Sequence, residues 1–212
     1  MKKLLLTALF GMAGILMVSA QSFEGVIEFK KQTATDTVNY VYYVKGDKIR
    51  LDEIGSKSKK VEGSFLIDLK TNTMISLSHE RKLYIEQASG TPVTMTGKAE
   101  VKKTGNTKVI QGIKCSEYVV KNADEKVMVT YWLADGKFDF FFKLLKVLNR
   151  KDKSALYVQQ ITGVDGTFPF LSSQVNMETG KEEVKMEVTK IQKKAVDANL
   201  FVVPKDYQKF QK

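Results

Sequence analysis

The chain holds one histidine, His79, and one cysteine, Cys115, in 212 residues, and these two bound the chemistry open to it. A transition-metal site wants several His, Cys or carboxylate ligands at short, regular spacing. Neither residue has such a neighbour. A Ser-His-Asp or Cys-His nucleophile would have to use His79, which in Ser78-His79-Glu80-Arg81 reads as a turn residue between two strands. Ser56-x-x-Lys59 has the spacing of a serine–lysine pair but lies in the polar run Ser56-Lys57-Ser58-Lys59-Lys60, where the amine stays hydrated and charged. Asp52-Glu53 and Glu182-Glu183 are adjacent along extended chain, so the members of each pair face opposite ways and share no site. Cys115 shares a face with Ile113, Glu117 and Val119 and reads as a buried, inert thiol. No phosphate loop, dinucleotide fingerprint or nucleophile elbow is present. The inventory predicts a non-enzyme without metal or cofactor and leaves a hydrolase as the third reading.

What remains is apolar. From Phe138 to Arg150, at 100° per residue, Asp139, Lys143, Lys146 and Arg150 fall within one narrow arc. Phe138, Phe140, Phe141, Phe142, Leu144, Leu145, Val147 and Leu148 cover nearly all the rest, an arc about twice as wide as a surface helix needs. Burying eight such side chains contributes about 12–24 kcal/mol, so this helix must be covered on more than one side. It is either a plain core helix or one that also lines a lipid-sized cavity. Phe168-Pro169-Phe170-Leu171 predicts a loop between strands, either plugged into the core or exposed as a hook for a membrane or lipid chain. The ligand-binding candidates are therefore Phe138, Phe141, Phe142 and Leu145 on the helix, with Phe168, Phe170 and Leu171 on the loop.

Strands must position these residues, because period-two patterns dominate the chain. Phe23, Ile27 and Phe29 alternate with Glu24, Glu28 and Lys30. Val38, Tyr40, Tyr42 and Val44 share a face in the next run, which turns at Lys45-Gly46-Asp47-Lys48 into Ile49 and Leu51. Further strands are expected at 65–68, 74–77, 82–85, 126–134, 155–161, 172–177 and 181–191. A hairpin from Val101 to Val120 is expected to turn at Gly105-Asn106, and 86–98, with Pro92, reads as a long loop or irregular helix. The pattern predicts a mostly β (α+β) fold. About ten consecutive strands form a large antiparallel meander that curves around the apolar helix.

Residues 1–20 read as a cleaved signal peptide. Met1-Lys2-Lys3 is the positive start, Leu4 to Val18 the apolar run, and Val18-Ser19-Ala20 the cleavage site. The run is shorter than the roughly 20 apolar residues a spanning helix needs. A soluble exported or periplasmic protein of one domain, 21–212, is the expectation. Losing Lys2 and Lys3 takes the formal charge from +10 to +8. In an exported protein that surplus is either a Lys-rich solvated surface that keeps the chain soluble or a means of contact with anionic membrane surfaces rather than nucleic acid. Its basic residues are not interleaved with aromatics as nucleic-acid binding requires. A single cysteine excludes an internal disulfide, so the core alone must hold the fold.

Several segments resemble an uncharacterised family of bacterial exported proteins labelled only as a domain of unknown function. They are Tyr43 to Arg50, Leu66-Ile67-Asp68 with Met74, Thr104 to Tyr118, and Trp132 to Asp135. The order of elements, ending in Val203-Pro204-Lys205-Asp206-Tyr207, is similar to the LolA/LolB-like envelope proteins. The resemblance implies a strongly curved antiparallel sheet, an incomplete β-barrel, with helices over its mouth. It also implies an apolar concavity for a lipid or lipoprotein acyl chain. The N-terminal lipid-modified cysteine of LolB-type members has no counterpart here. A second expectation is an envelope protein-interaction or sensor module with a filled core, binding a partner by a sheet edge.

Overall fold

The computed structural model describes residues 22–87 and 91–211; the expected signal peptide lies outside them. Alternating burial builds the sheet. In β1 (Gly25–Thr33) Ile27 and Phe29 are buried, in β2 (Thr37–Lys45) Tyr42 and Val44, and in β3 (Lys48–Ile54) Ile49 and Leu51. The meander continues through β4 (Val61–Asp68), β5 (Thr73–Ser78) and β6 (Leu83–Gln87). A second meander runs through β7 (Glu100–Ile110), β8 (Ile113–Asn122), β9 (Val127–Asp135), β10 (Thr167–Asn176) and β11 (Glu182–Lys193). Antiparallel pairing of β1 with β11 joins the two, and the short β12 (Gln208–Lys209) adds in parallel to β6. The spatial order is β12-β6-β5-β4-β3-β2-β1-β11-β10-β9-β8-β7, twelve strands whose two ends do not pair. Leu51 of β3 and Tyr131 of β9 line one cavity, although their strands are five steps apart and would span about 24 Å in a flat sheet. The sheet is therefore strongly curved and open, as expected.

Helix α1 (Phe140–Leu148) lies against the inner face, with Phe140, Phe141, Leu144 and Leu145 buried and Lys143 and Lys146 exposed. Its start is fixed by the Phe138 amide donating to Gly166 O and the Phe23 amide donating to Lys137 O. Its end is fixed by Asn149 in the left-handed region (φ 43°), whose amide donates to Leu145 O; asparagine tolerates that conformation better than other side-chain-bearing residues do. No helix among the described residues is long and apolar enough to cross a membrane.

Three expectations are corrected. The segment expected as a strand at 155–161 is instead α2 (Lys153–Val158). Asp152 caps it by accepting from the Ala155 amide, and Ser154, Tyr157, Val158 and Ile161 are buried at the i, i+3, i+4, i+7 spacing of a helix face. Phe168–Leu171 is not a loop but the start of β10. Pro169 is accommodated because pairing with β11 begins only at Leu171 and the register with β9 shifts between Pro169 and Leu171. The β7–β8 hairpin turns at Gln111-Gly112, both with positive φ, whereas Gly105-Asn106 sits in a register shift within β7.

The face of β1–β5 opposite α1 is covered by the C-terminal segment, where Val196 and Phe201 are buried and Arg50 donates to Leu200 O. Cys115 is fully buried, and burial raises its thiol pKa, which suits an inert side chain.

Candidate functional site

Two places among the described residues are candidate sites, a polar cluster and a cavity. The first surrounds His79, in the turn between β5 and β6. Ser64 Oγ donates to Asp52 Oδ1 at 2.5 Å and so accepts from His79 Nε2 at 2.6 Å, while His79 Nδ1 accepts from the Tyr207 hydroxyl at 2.6 Å. Arg50 donates to both Asp52 and Ser64. The residue types of a catalytic triad are thus in contact, but the carboxylate holds the serine rather than the imidazole, and Ser64 is 1% exposed. A triad needs the acid on the base and an open nucleophile. This constellation instead fastens the C-terminal segment to the sheet.

With the Ser64 proton given to Asp52, Nε2 carries the imidazole proton, and Nδ1 accepts from Tyr207 as long as the ring is neutral. Partial burial and the neighbouring Arg50 charge push the His79 pKa below its usual 6.5, against the smaller opposing pull of Asp52. The unfolded chain therefore takes up this proton at higher pH than the folded one does, and stability falls as pH drops from about 6.5 through the depressed value. Urea-unfolding midpoints measured between pH 7.5 and 5 should decline more steeply for the native chain than for His79→Gln. Parallel curves would remove His79 as the source.

The second place is a cavity of about 400 Å³ between the curved sheet and the helices, within the range of small-molecule sites. Strand register lays out its floor. Lys31 of β1 pairs with Met186 of β11, Met186 with Ser172 of β10, and Ser172 with Tyr131 of β9, so four strands place one row of side chains along it. Phe29, Tyr40, Tyr42 and Leu51 extend the floor toward β3. The roof is Phe141, Leu145 and Leu148 of α1 with Ala155, Leu156 and Val158 of α2. Pro92 and Val93 close one side. Asn149 ties them to α1, its Oδ1 accepting from the Val93 amide at 2.9 Å and its Nδ2 donating to Thr91 O at 2.8 Å. Farther along, the Thr96 amide donates to Glu125 and Asn122 donates to Thr96 O.

Asn149→Gly keeps the left-handed backbone but removes both tethers. Exchange of the Val93 amide hydrogen should rise by about tenfold, the factor expected from losing one hydrogen bond, with the urea midpoint little changed. Unaltered exchange would show that the 91–96 segment is held by other contacts.

Tyr131 donates to Ser154 O and is satisfied. Tyr42 and Ser172, 7% and 3% exposed, also line the cavity, and no described residue hydrogen-bonds to either hydroxyl. Every side-chain polar atom that is wholly sealed among the described residues has a partner, so what little these two hydroxyls expose faces the cavity. Burial holds the Tyr42 hydroxyl well above the usual tyrosine range, so it stays protonated and can donate. At the mouth, Lys31 pairs with Asp152. Arg150 lies over the Phe65 ring with Glu53 at 4.0 Å, and Lys146 has no ion-pair partner among the described residues.

The residues singled out from sequence fall into three groups. Phe141 and Leu145 line the cavity. Phe138, Phe168 and Phe170 are buried in a ring cluster in which Phe168 meets Tyr42, Phe138, Phe140, Phe141 and Phe170. Phe142 is half-buried against Phe141, and Leu171 is half-buried opposite Trp132. Sequence reasoning missed Phe29, Tyr40, Tyr42, Ser172 and Met186. The alternation of Tyr40 and Tyr42 marked their shared face, but not what lay across from it.

The family described as "Domain of unknown function (DUF4412)" matches residues 23–207. No curated protein matches the chain. Among solved structures, an uncharacterized conserved protein from Thermus thermophilus aligns with a TM-score of 0.57 and 10% identity, over 91% of this chain and 93% of that one. The Pseudomonas aeruginosa MucA/MucB complex contains a chain that aligns with a TM-score of 0.51 and 12% identity, over 88% of this chain and 57% of that one. A LolA superfamily protein from Nitrosomonas europaea aligns over 87% and 91% at 12% identity, with a TM-score of 0.36. The first two likenesses show a shared fold.

Proposed function

We propose that this chain, which belongs to the DUF4412 family, is a non-enzymatic periplasmic binding protein for a lipid, a lipoprotein acyl chain or a similar hydrophobic ligand. The observation that carries this reading is the cavity of about 400 Å³, walled by Phe29, Leu51, Phe141, Leu145, Leu148 and Val158. An apolar void in a protein interior forfeits contacts that packing would otherwise supply. Phe168 packs against Phe140 and Phe141 of α1 and fastens the helix over the space, which supports a pre-formed site rather than an unfinished core. The leader pattern at 1–20 supports export, and the mature charge of +8 suits contact with an anionic membrane surface.

Native mass spectrometry of protein purified from the periplasm tests the reading. Co-purifying acyl lipid is expected; a clean apo mass together with no uptake of a fluorescent fatty acid would overturn it. The fold shared with a chain of the MucA/MucB complex supports a second reading, an envelope protein-interaction module. The filled core expected of such a module is at odds with the cavity.

A further inference from the structure

Inside an apolar cavity, a buried hydroxyl without a partner costs free energy unless something in the cavity receives it. Tyr42 is such a group. It is more than nine-tenths buried, lines the space, and has no hydrogen-bond partner among the described residues, although its ring is packed against Phe29 and Phe168. A pure hydrocarbon would leave it unsatisfied. Of the cavity's charged residues, Lys31, Lys146 and Arg150 are basic and Asp152 alone is acidic, and Asp152 is already held by Lys31. Arg150 has Glu53 only at the 4.0 Å limit of an ion pair, leaving most of its planar donor fork free. Arg150 lies over the Phe65 ring, Phe65 pairs with Leu51 and Leu51 with Tyr42, so strand register puts the guanidinium and Tyr42 along one row of side chains at the same end of the cavity.

We infer that the ligand is a single-chain amphiphile with an anionic headgroup, its head seated between Arg150 and the Tyr42 hydroxyl and its chain laid under Phe141, Leu145 and Val158. The inference rests on the binding-protein reading and narrows it. Both donors favour an oxyanion, since guanidinium and phenol give hydrogen bonds that strengthen when the acceptor is charged. A cationic amphiphile would be repelled by Arg150 and Lys146, and a neutral one would leave most of the Arg150 donors unused.

The test compares three probes of equal chain length, dodecanoate, dodecyl phosphate and dodecan-1-ol, by displacement of a fluorescent fatty acid from the delipidated mature chain. Both anions should bind, and the alcohol should bind at least about tenfold more weakly, as the loss of a charge-assisted hydrogen bond implies. Arg150→Gln and Tyr42→Phe should each bring dodecanoate close to the alcohol, with urea midpoints reporting that the variants are folded. An alcohol that binds as tightly as the anions would overturn the anionic head and leave the hydrophobic-ligand reading standing. Preference retained in both variants would overturn the seat. If none of the three probes binds, the underlying reading fails as well.

Discussion

Phe168→Ala is expected to cost the fold about 3–5 kcal/mol, the range for removing a fully packed phenylalanine. The reason is position. Phe168 meets five other rings, three of them from the segment that leads into and forms α1, one from β2 and one from its own strand. It is therefore the residue through which the helix is fastened to both halves of the sheet. Phe138, Phe140 and Phe141 cannot shift to fill the space without pulling α1 off the cavity, so the loss carries a cavity term as well as a transfer term. Domains of this kind are stable by about 5–15 kcal/mol in total, so the variant should unfold at a temperature lower by roughly 6–20 °C. Urea and thermal unfolding measure this. Leu171→Ala, three residues along but half-exposed, should cost much less. Equal losses at the two positions would contradict the central place given to the ring cluster.

Ser172→Phe should act in the opposite sense on stability and more severely on binding. Ser172 sits mid-floor between Met186 and Tyr131, 3% exposed, with a hydroxyl that no described residue uses. A phenyl ring there enters a void of about 400 Å³. It breaks no hydrogen bond and buries new apolar surface, so the folded state is retained or strengthened. The same ring occupies the path of any acyl chain. Affinity for a hydrophobic probe should fall on the order of 100-fold, equivalent to about 2.7 kcal/mol, while the urea midpoint holds or rises. A folded variant that still takes up a fluorescent fatty acid at the native affinity would remove this cavity as the binding site.

Much of this architecture is legible in the residues, and the exceptions have physical causes. Alternation in 23–29, 38–44 and 127–133 announces strands because one face of each is buried on the same core. The crowded arc of 138–150 announces a helix that must be wrapped. The helix at 153–158 is disguised because its apolar residues form a short continuous run, Ala155-Leu156-Tyr157-Val158, which a buried strand also shows. The Asp152 cap and the 154, 157, 158, 161 spacing are the stronger signal. Pro169 argues against a strand, but a proline is admitted where one side of the ladder is unpaired, and that gap depends on where β11 begins. Gln111 at a positive φ has no sequence mark of its own, so local pattern points to the glycine–asparagine pair six residues before the Gln111-Gly112 turn.

The cavity is half legible. Phe141 and Leu145 are visible as greasy positions on a helix with too much apolar surface. Tyr42, Ser172 and Arg150 are not, since their convergence depends on how far the sheet bends, and no local pattern states its curvature. The same holds for the meeting of Asp52, Ser64 and His79, from β3, β4 and the β5–β6 turn, with Tyr207 of the far C-terminal segment.

A sheet that stays unclosed keeps two raw borders, and each is treated differently here. On one side the chain supplies its own last strand, β12, buttoned down by Tyr207 on His79 and by the Lys82–Asp206 and Lys209–Glu86 pairs. On the other, β7 offers eleven residues but carries exposed Lys102 and Lys103, half-exposed Lys108 and a break in register at Lys103/Thr107. Lysines and irregular register repel a stacking neighbour, and two copies set antiparallel about Gly105 would bring Lys102 against Lys108. The molecule is thereby guarded against end-to-end fibre growth, which lets it keep a wide, bent platform without sealing it into a ring.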